Sequence, residues 1–152
     1  MLAVEVRNRL PADVWDSYTK ICNIRNPWDK TVSQFHMDFR HLRDEEQDII
    51  INAFREWLGN IEKVPTDRAM YFIRGEPVAD FFIRYQQLHS DLEELARNLD
   101  LELDLENELP TAKTGFRAPS SLPFQEYYDD HCRSRVADAY SAEIEHFDWT
   151  FD

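Results

Sequence analysis

The stretch CNIRNPWDKTVSQF, Cys22 to Phe35, limits the fold of this chain more than any other. An apolar run ends there in Arg25, and the Asn-Pro pair that follows closes one element and opens another. Proline has no N–H for a strand ladder and holds the residue before it away from helical backbone. Asn26 therefore reads as a helix N-cap and Pro27 as the first helical residue, where its missing N–H costs nothing. Asp29 completes an arrangement like a capping box. Trp28, Val32, Phe35, Phe39 and Leu42 recur at helical spacing as the apolar face, while Asp29, Ser33, His36 and Arg40 fall in one narrow sector on another side. Ser33 is thus not a simple core-filling residue. Upstream, YTKICNI clusters apolar residues as a buried strand does.

Elsewhere the pattern is helix-rich with a few strands. Leu2 to Leu10 reads as a short helix ended by Pro11. A second amphipathic helix is expected from about Glu45 to Leu58, with Ile49, Ile50, Ala53, Phe54, Trp57 and Leu58 on one side and Gly59 as its stop. MYFIRGEPVADFFIRY reads as two short strands around a turn at Gly75 to Pro77. Leu88, Leu92, Leu95, Ala96 and Leu99 mark a third helix, and Val136, Tyr140, Ile144 and Phe147 a last long one. Between them LPTAKTGFRAPSSLP has the composition of a loop. With no internal repeat and no linker, residues 1–152 read as a single domain.

Composition narrows the function classes. A domain of 152 residues buries about two thirds of its unfolded surface, enough for a core without disulfide staples. No apolar run approaches the roughly 20 residues of a membrane span, and MLAVEVRNRLPADVW lacks the apolar core of a signal peptide. A soluble, cytoplasmic chain without membrane contact is expected. Cys22 and Cys132 lie outside any CxxC or Cys/His metal spacing and read as reduced core thiols. The net charge of −13 argues against general nucleic-acid binding, which needs a basic face. That charge is uneven. Between Tyr18 and Arg43 five basic residues face two acidic ones, whereas DLEELARNLDLELDLENE sets one arginine among eight acids. An anion would be received near the first segment.

A strand that ends in Arg25 and turns directly into a capped helix offers a guanidinium beside backbone N–H groups and the positive helix end. Phosphate suits such a place. Arginine gives charge-assisted, often bidentate bonds, and Ser33 adds a hydroxyl donor when the anion lies along the polar sector. Spacing alone leaves open a plainer arrangement, in which Arg25 bridges to Asp29 and Ser33 faces solvent.

NIRNPWDKTVSQF resembles the 3′-phosphate-binding strand and helix of sulfotransferases that use 3′-phosphoadenosine-5′-phosphosulfate (PAPS), particularly the carbohydrate-type family. DFFIRYQQLHSDLEEL is similar to that family's strand-plus-helix segment, LPTAKT to its Leu-Pro loop, and YYDDHCRSRVADAYSAEIEHFDWTF to its closing helix and aromatic terminus. The resemblance covers the chain from about Trp15, in the family's order. It implies an α/β, P-loop NTPase-like sulfotransferase fold of three layers, here as a mostly helical C-terminal portion with a reduced sheet. It further implies that Arg25 and Ser33 hold the nucleotide's 3′-phosphate and that Lys113, Thr114 and Arg117 lie in a loop closing over PAPS or its product 3′-phosphoadenosine-5′-phosphate (PAP). The acceptor it implies is a hydroxyl, most simply of a glycan.

Two departures qualify that likeness. Gln86 stands where the family often has Glu, which puts an acidic role there in doubt. Glycine occurs only at positions 59, 75 and 115, and none sits in the Lys-containing, Gly/Thr-rich loop that holds the 5′-phosphosulfate in such enzymes. The chain reads as the 3′-phosphate half without the 5′-sulfate half. Three arrangements fit: the C-terminal part of a longer sulfotransferase, which is the favoured one; a degenerate member that binds nucleotide or a partner without catalysis; or an interaction protein that keeps only the scaffold. The general base is unassigned. His36, nearest the anion sector, reads more simply as a surface residue, and the histidines lack the spacing of a zinc site. LELDLENE lacks the glycine and ligand spacing of a calcium loop, and no metal is expected. A reduced sheet would expose an edge near YTKICNI, so self-association is expected.

Overall fold

The computed structural model describes residues 1–102, 104–105 and 122–152. It is mixed α/β and mostly helical, and the chain divides into two compact units. Leaving the undescribed residues aside, the first unit takes in Met1–Arg25 and Thr66–Leu109, the second Asn26–Pro65 and Pro110–Asp152. Among the described residues no helix is long and apolar enough to cross a membrane.

The first unit opens with α1 (Ala3–Arg9) and α2 (Ala12–Ser17), separated at Pro11. Strand β1 (Ile21–Ile24) follows. A hairpin of β2 (Phe72–Ile73) and β3 (Glu76–Pro77) precedes β4 (Phe81–Arg84) and α5 (Leu88–Asn98). Arg74 (φ 56°) and Gly75 (φ 88°) turn the hairpin, with positive φ at both central residues as a tight two-residue turn requires. The expected turn at Gly75 to Pro77 thus includes a short strand of its own, and the strand beyond it, β4, runs parallel to β1, in the register Ile21↔Phe81 to Ile24↔Arg84.

A reciprocal clamp sets that register. The Asp80 carboxylate accepts from the Lys20 backbone N–H and ammonium, both at 2.8 Å, while the Lys20 carbonyl accepts from Asp80 and Phe81 N–H at 2.7 and 3.1 Å. At the other end buried Asp91, from α5, accepts the Arg84 N–H at 2.7 Å. β1 is a partly exposed strand rather than a fully buried one: Ile24 is covered, Cys22 half-buried, and Ile21 43% exposed.

The second unit holds α3 (Pro27–Asp38), α4 (Gln47–Asn60), α6 (Asp130–Ala139) and α7 (Ser141–Phe147), with short 3₁₀ turns at Arg40–Leu42 and Phe124–Tyr127. Its core is aromatic. Trp28, Val32 and Phe35 of α3 meet Ile50, Phe54 and Leu58 of α4, together with Tyr127, Tyr128, Cys132, Val136 and Tyr140. The Phe54 ring makes near-perpendicular contacts with Phe35, Tyr127 and Tyr128 at 5.4, 5.7 and 5.0 Å, the edge-to-face geometry that ring quadrupoles favour.

Two boundaries differ from the sequence expectation. Gly59 does not stop α4, which continues to Asn60. Its terminal carbonyls at Gly59 and Ile61 are taken by the Arg135 guanidinium, a cation where the helix dipole favours one. The last long helix is two helices. Tyr140, 2% exposed, breaks the regular backbone between them and donates its hydroxyl to the Pro65 carbonyl at 2.8 Å. With so few glycines, aspartate supplies left-handed backbone at the ends of α5 and α7, Asp100 and Asp148 both having φ 53°.

Candidate anion site

Parallel pairing brings the carboxyl ends of β1 and β4 side by side, and the residues there are cationic. Ile24 pairs with Arg84, and Arg25 and Tyr85 are the next residues of their chains. The Arg25 guanidinium lies over the Tyr85 ring, 4.2 Å from its centroid. Arg84 is exposed and donates from Nη1 to Gln87 Oε1 at 3.0 Å. Sequence reasoning missed Arg84 and Tyr85. Their signal was there in the repeated order apolar run, arginine, helix, at NIR and at FIRYQQ, but only strand pairing makes the two neighbours.

Asn26 caps α3 as its sequence context demands. Its Oδ1 accepts from the N–H of Trp28 at 3.1 Å and, at the longer 3.5 Å, of Asp29, while its Nδ2 donates to the Thr150 carbonyl at 2.7 Å. This corrects one part of the anion argument. With Pro27 lacking an N–H and the next two drawn to Asn26, the first turn is closed by its own cap instead of presenting open N–H groups. The helix dipole remains, and so does the guanidinium.

The polar sector of α3 is more buried than its composition suggested. Asp29 and His36 are buried, Ser33 is half-buried, and Arg40 is exposed. His36 is not a surface residue: its Nε2 and the Tyr127 hydroxyl, 91 positions further on, are 3.0 Å apart inside the unit. Ser33 stands in the second unit and Arg25 closes the first. Lys113, Thr114 and Arg117, with the rest of LPTAKT, lie outside the described residues.

Buried hydroxyls and thiols here are not poised for proton transfer. Burial pushes the Tyr128 hydroxyl well above its usual value, and it donates to the Trp28 carbonyl at 2.9 Å. Tyr140 is also raised by burial. Desolvation pushes the Cys132 thiol up to about 12, so it stays protonated near neutrality. Neither cysteine forms a disulfide; Cys132 lies in the core and Cys22 is half-buried. Among the described residues no cluster of three or more His, Cys, Asp or Glu could hold a metal ion.

In comparisons with known proteins, no family model, no curated protein and no solved structure matches this chain.

Proposed function

We propose that this chain is sulfotransferase-like and carries the 3′-phosphate half of a PAPS site within a P-loop NTPase-like fold. One observation supports this reading above the others: Arg25 and Arg84 stand at the carboxyl ends of two parallel strands, the edge at which open α/β sheets receive their ligands. The Arg25 charge is held over Tyr85, so part of its side-chain entropy is lost before a phosphate arrives. Ser33 is the second candidate ligand, and Lys113, Thr114 and Arg117 are candidates for closing over the nucleotide.

In the reaction so assigned, the bond between sulfur and the 5′-phosphate oxygen breaks as a bond forms from sulfur to an acceptor hydroxyl oxygen. The hydroxyl proton passes to a general base and PAP leaves. Positioning and charge stabilisation supply most of such catalysis. The contribution of this chain is to bind and orient the 3′-phosphate; the acceptor is a hydroxyl, most simply of a glycan. A second reading, nucleotide or partner binding without catalysis, is favoured by the closed first turn of α3.

Calorimetric titration of PAP, with adenosine 5′-phosphate and an Arg25→Ala variant alongside, tests the proposal. PAP binding that is at least tenfold tighter than adenosine 5′-phosphate binding and is lost with Arg25 supports the half-site. Equal affinity for both nucleotides, or no dependence on Arg25 in a folded chain, rejects it.

A further inference from the structure

The second unit carries a groove that the nucleotide reading does not use. It has a volume of ≈ 490 Å³, within the range of small-ligand sites, and opens between the 3₁₀ turn after α3 and one face of α4. Ala53, Glu56, Trp57 and Asn60 succeed one another at helical spacing along that face, and Phe39 and His41 form the facing wall.

Aromatic rings dominate the lining. Phe39 and Trp57 are both half-buried, their centroids 6.1 Å apart and their planes at 66°, and the His41 ring lies 6.1 Å from Phe39. The core holds the two larger rings in place. Fully buried Phe35 stacks on Phe39 at 4.7 Å and meets Trp57 at 5.6 Å, while Phe54 meets Trp57 at 6.0 Å. Rings braced in this way are ordered before any ligand arrives, which removes one cost of binding.

Charge selects the occupant. Among the described residues that line the groove, Glu56 is the one carboxylate, and there is no lysine or arginine. Next to the wall, from Asp38 to Glu46, four acids outweigh Arg40 and Arg43. The chain as a whole carries −13. Rings set at an angle, with a carboxylate beside them and a negative field around them, are complementary to a cation with a large apolar surface. The negative ring faces attract it, and its weak hydration makes leaving water cheap.

We propose that this groove binds a small quaternary ammonium group, with Trp57 and Phe39 as the aromatic walls and Glu56 as the counter-charge. An anionic ligand is disfavoured by Glu56. A neutral apolar ligand would meet the same walls but gain nothing from the charge.

Choline and its uncharged isostere 3,3-dimethyl-1-butanol separate these cases, read from the Trp57 indole N–H resonance during titration of the whole chain. Choline should shift that resonance saturably and bind at least tenfold more tightly than the isostere. Glu56→Gln, at an exposed position and harmless to folding, should weaken choline severalfold without changing the isostere, and Trp57→Leu should abolish choline binding. Equal affinity for the two ligands, or no saturable shift by choline, overturns the proposal. The Glu56→Gln arm keeps it testable if Trp57→Leu fails to fold.

Discussion

The two units bury their apolar side chains to different degrees. In the second, a continuous cluster joins three helices and a 3₁₀ turn, and Val32, Phe35, Phe54, Leu58, Tyr127, Cys132 and Val136 are at 0% exposure. Among the described residues of the first, the parallel sheet has two strands, and Met1, Leu2, Val4, Leu10, Tyr18, Ile21, Met70, Tyr85 and Leu101 are all exposed, against Ile49 alone among the large exposed apolar residues described in the second. Parallel sheets are normally covered on both faces, because their strands bury side chains on both. The contrast teaches that the described part of the second unit is the more tightly packed, while the first holds the parallel strand ends with Arg25 and Arg84.

The sharpest way to break that contrast is a matched pair of truncations. Phe54→Ala removes a ring packed against Phe35, Tyr127 and Tyr128 and should cost about 3–5 kcal/mol in urea unfolding. Phe72→Ala, in the two-residue strand β2, should cost less than half as much. Equal losses would mean that the first unit is as tightly packed as the second.

A smaller effect is expected at the junction. Asn26→Ala deletes the α3 cap and the bond to Thr150 together, so about 1–2 kcal/mol should be lost, with faster hydrogen exchange in the first turn of α3. A loss of only a few tenths would show that water caps this helix as well as Asn26 does.

The smallest effect lies at the Lys20–Asp80 clamp. Hydrogen bonding from Lys20 holds the Asp80 carboxyl below its ordinary 3.8, and the Cys132 N–H does the same for Asp129 at the start of α6. A carboxylate with a lowered folded value contributes stability above its unfolded value and loses it as pH falls through the folded one. The acid loss therefore falls below about pH 4. The Asp80 side chain is 49% exposed, so solvent screening leaves no more than about 0.5 kcal/mol. Asp80→Asn should flatten the urea midpoint against pH in that window by a correspondingly small amount; an unchanged slope would assign the acid loss elsewhere.

Local signals were legible where a residue acts on its own neighbours. Asn26-Pro27 marked the start of α3 because a cap and a proline act on the adjacent turn. The apolar spacing of Trp28, Val32 and Phe35, and of Ile50, Phe54 and Leu58, named core residues because helical period alone decides which side chains share a face. The charge map was equally plain. Arg25 was visible as the cation at the end of the apolar run, and the acidic net charge needed only counting.

What the sequence left undecided depends on partners distant along the chain. Nothing in FFIR says that it pairs with ICNI across some 60 positions, so neither Arg84 nor Tyr85 could be set beside Arg25. His36 looked like a surface residue until Tyr127 arrived to share its hydrogen bond. Gly59 looked like a stop, but the helix runs one residue further, and the Gly59 and Ile61 carbonyls find their partner in Arg135, some 75 positions away. The sequence by itself determined where helices begin, which faces are apolar and where the charges lie, because these follow from steric and hydrophobic rules acting over a few residues. Tertiary structure alone decided strand pairing, the burial of polar side chains and the shape of the groove beside Trp57, because each depends on contacts made only once distant segments have packed.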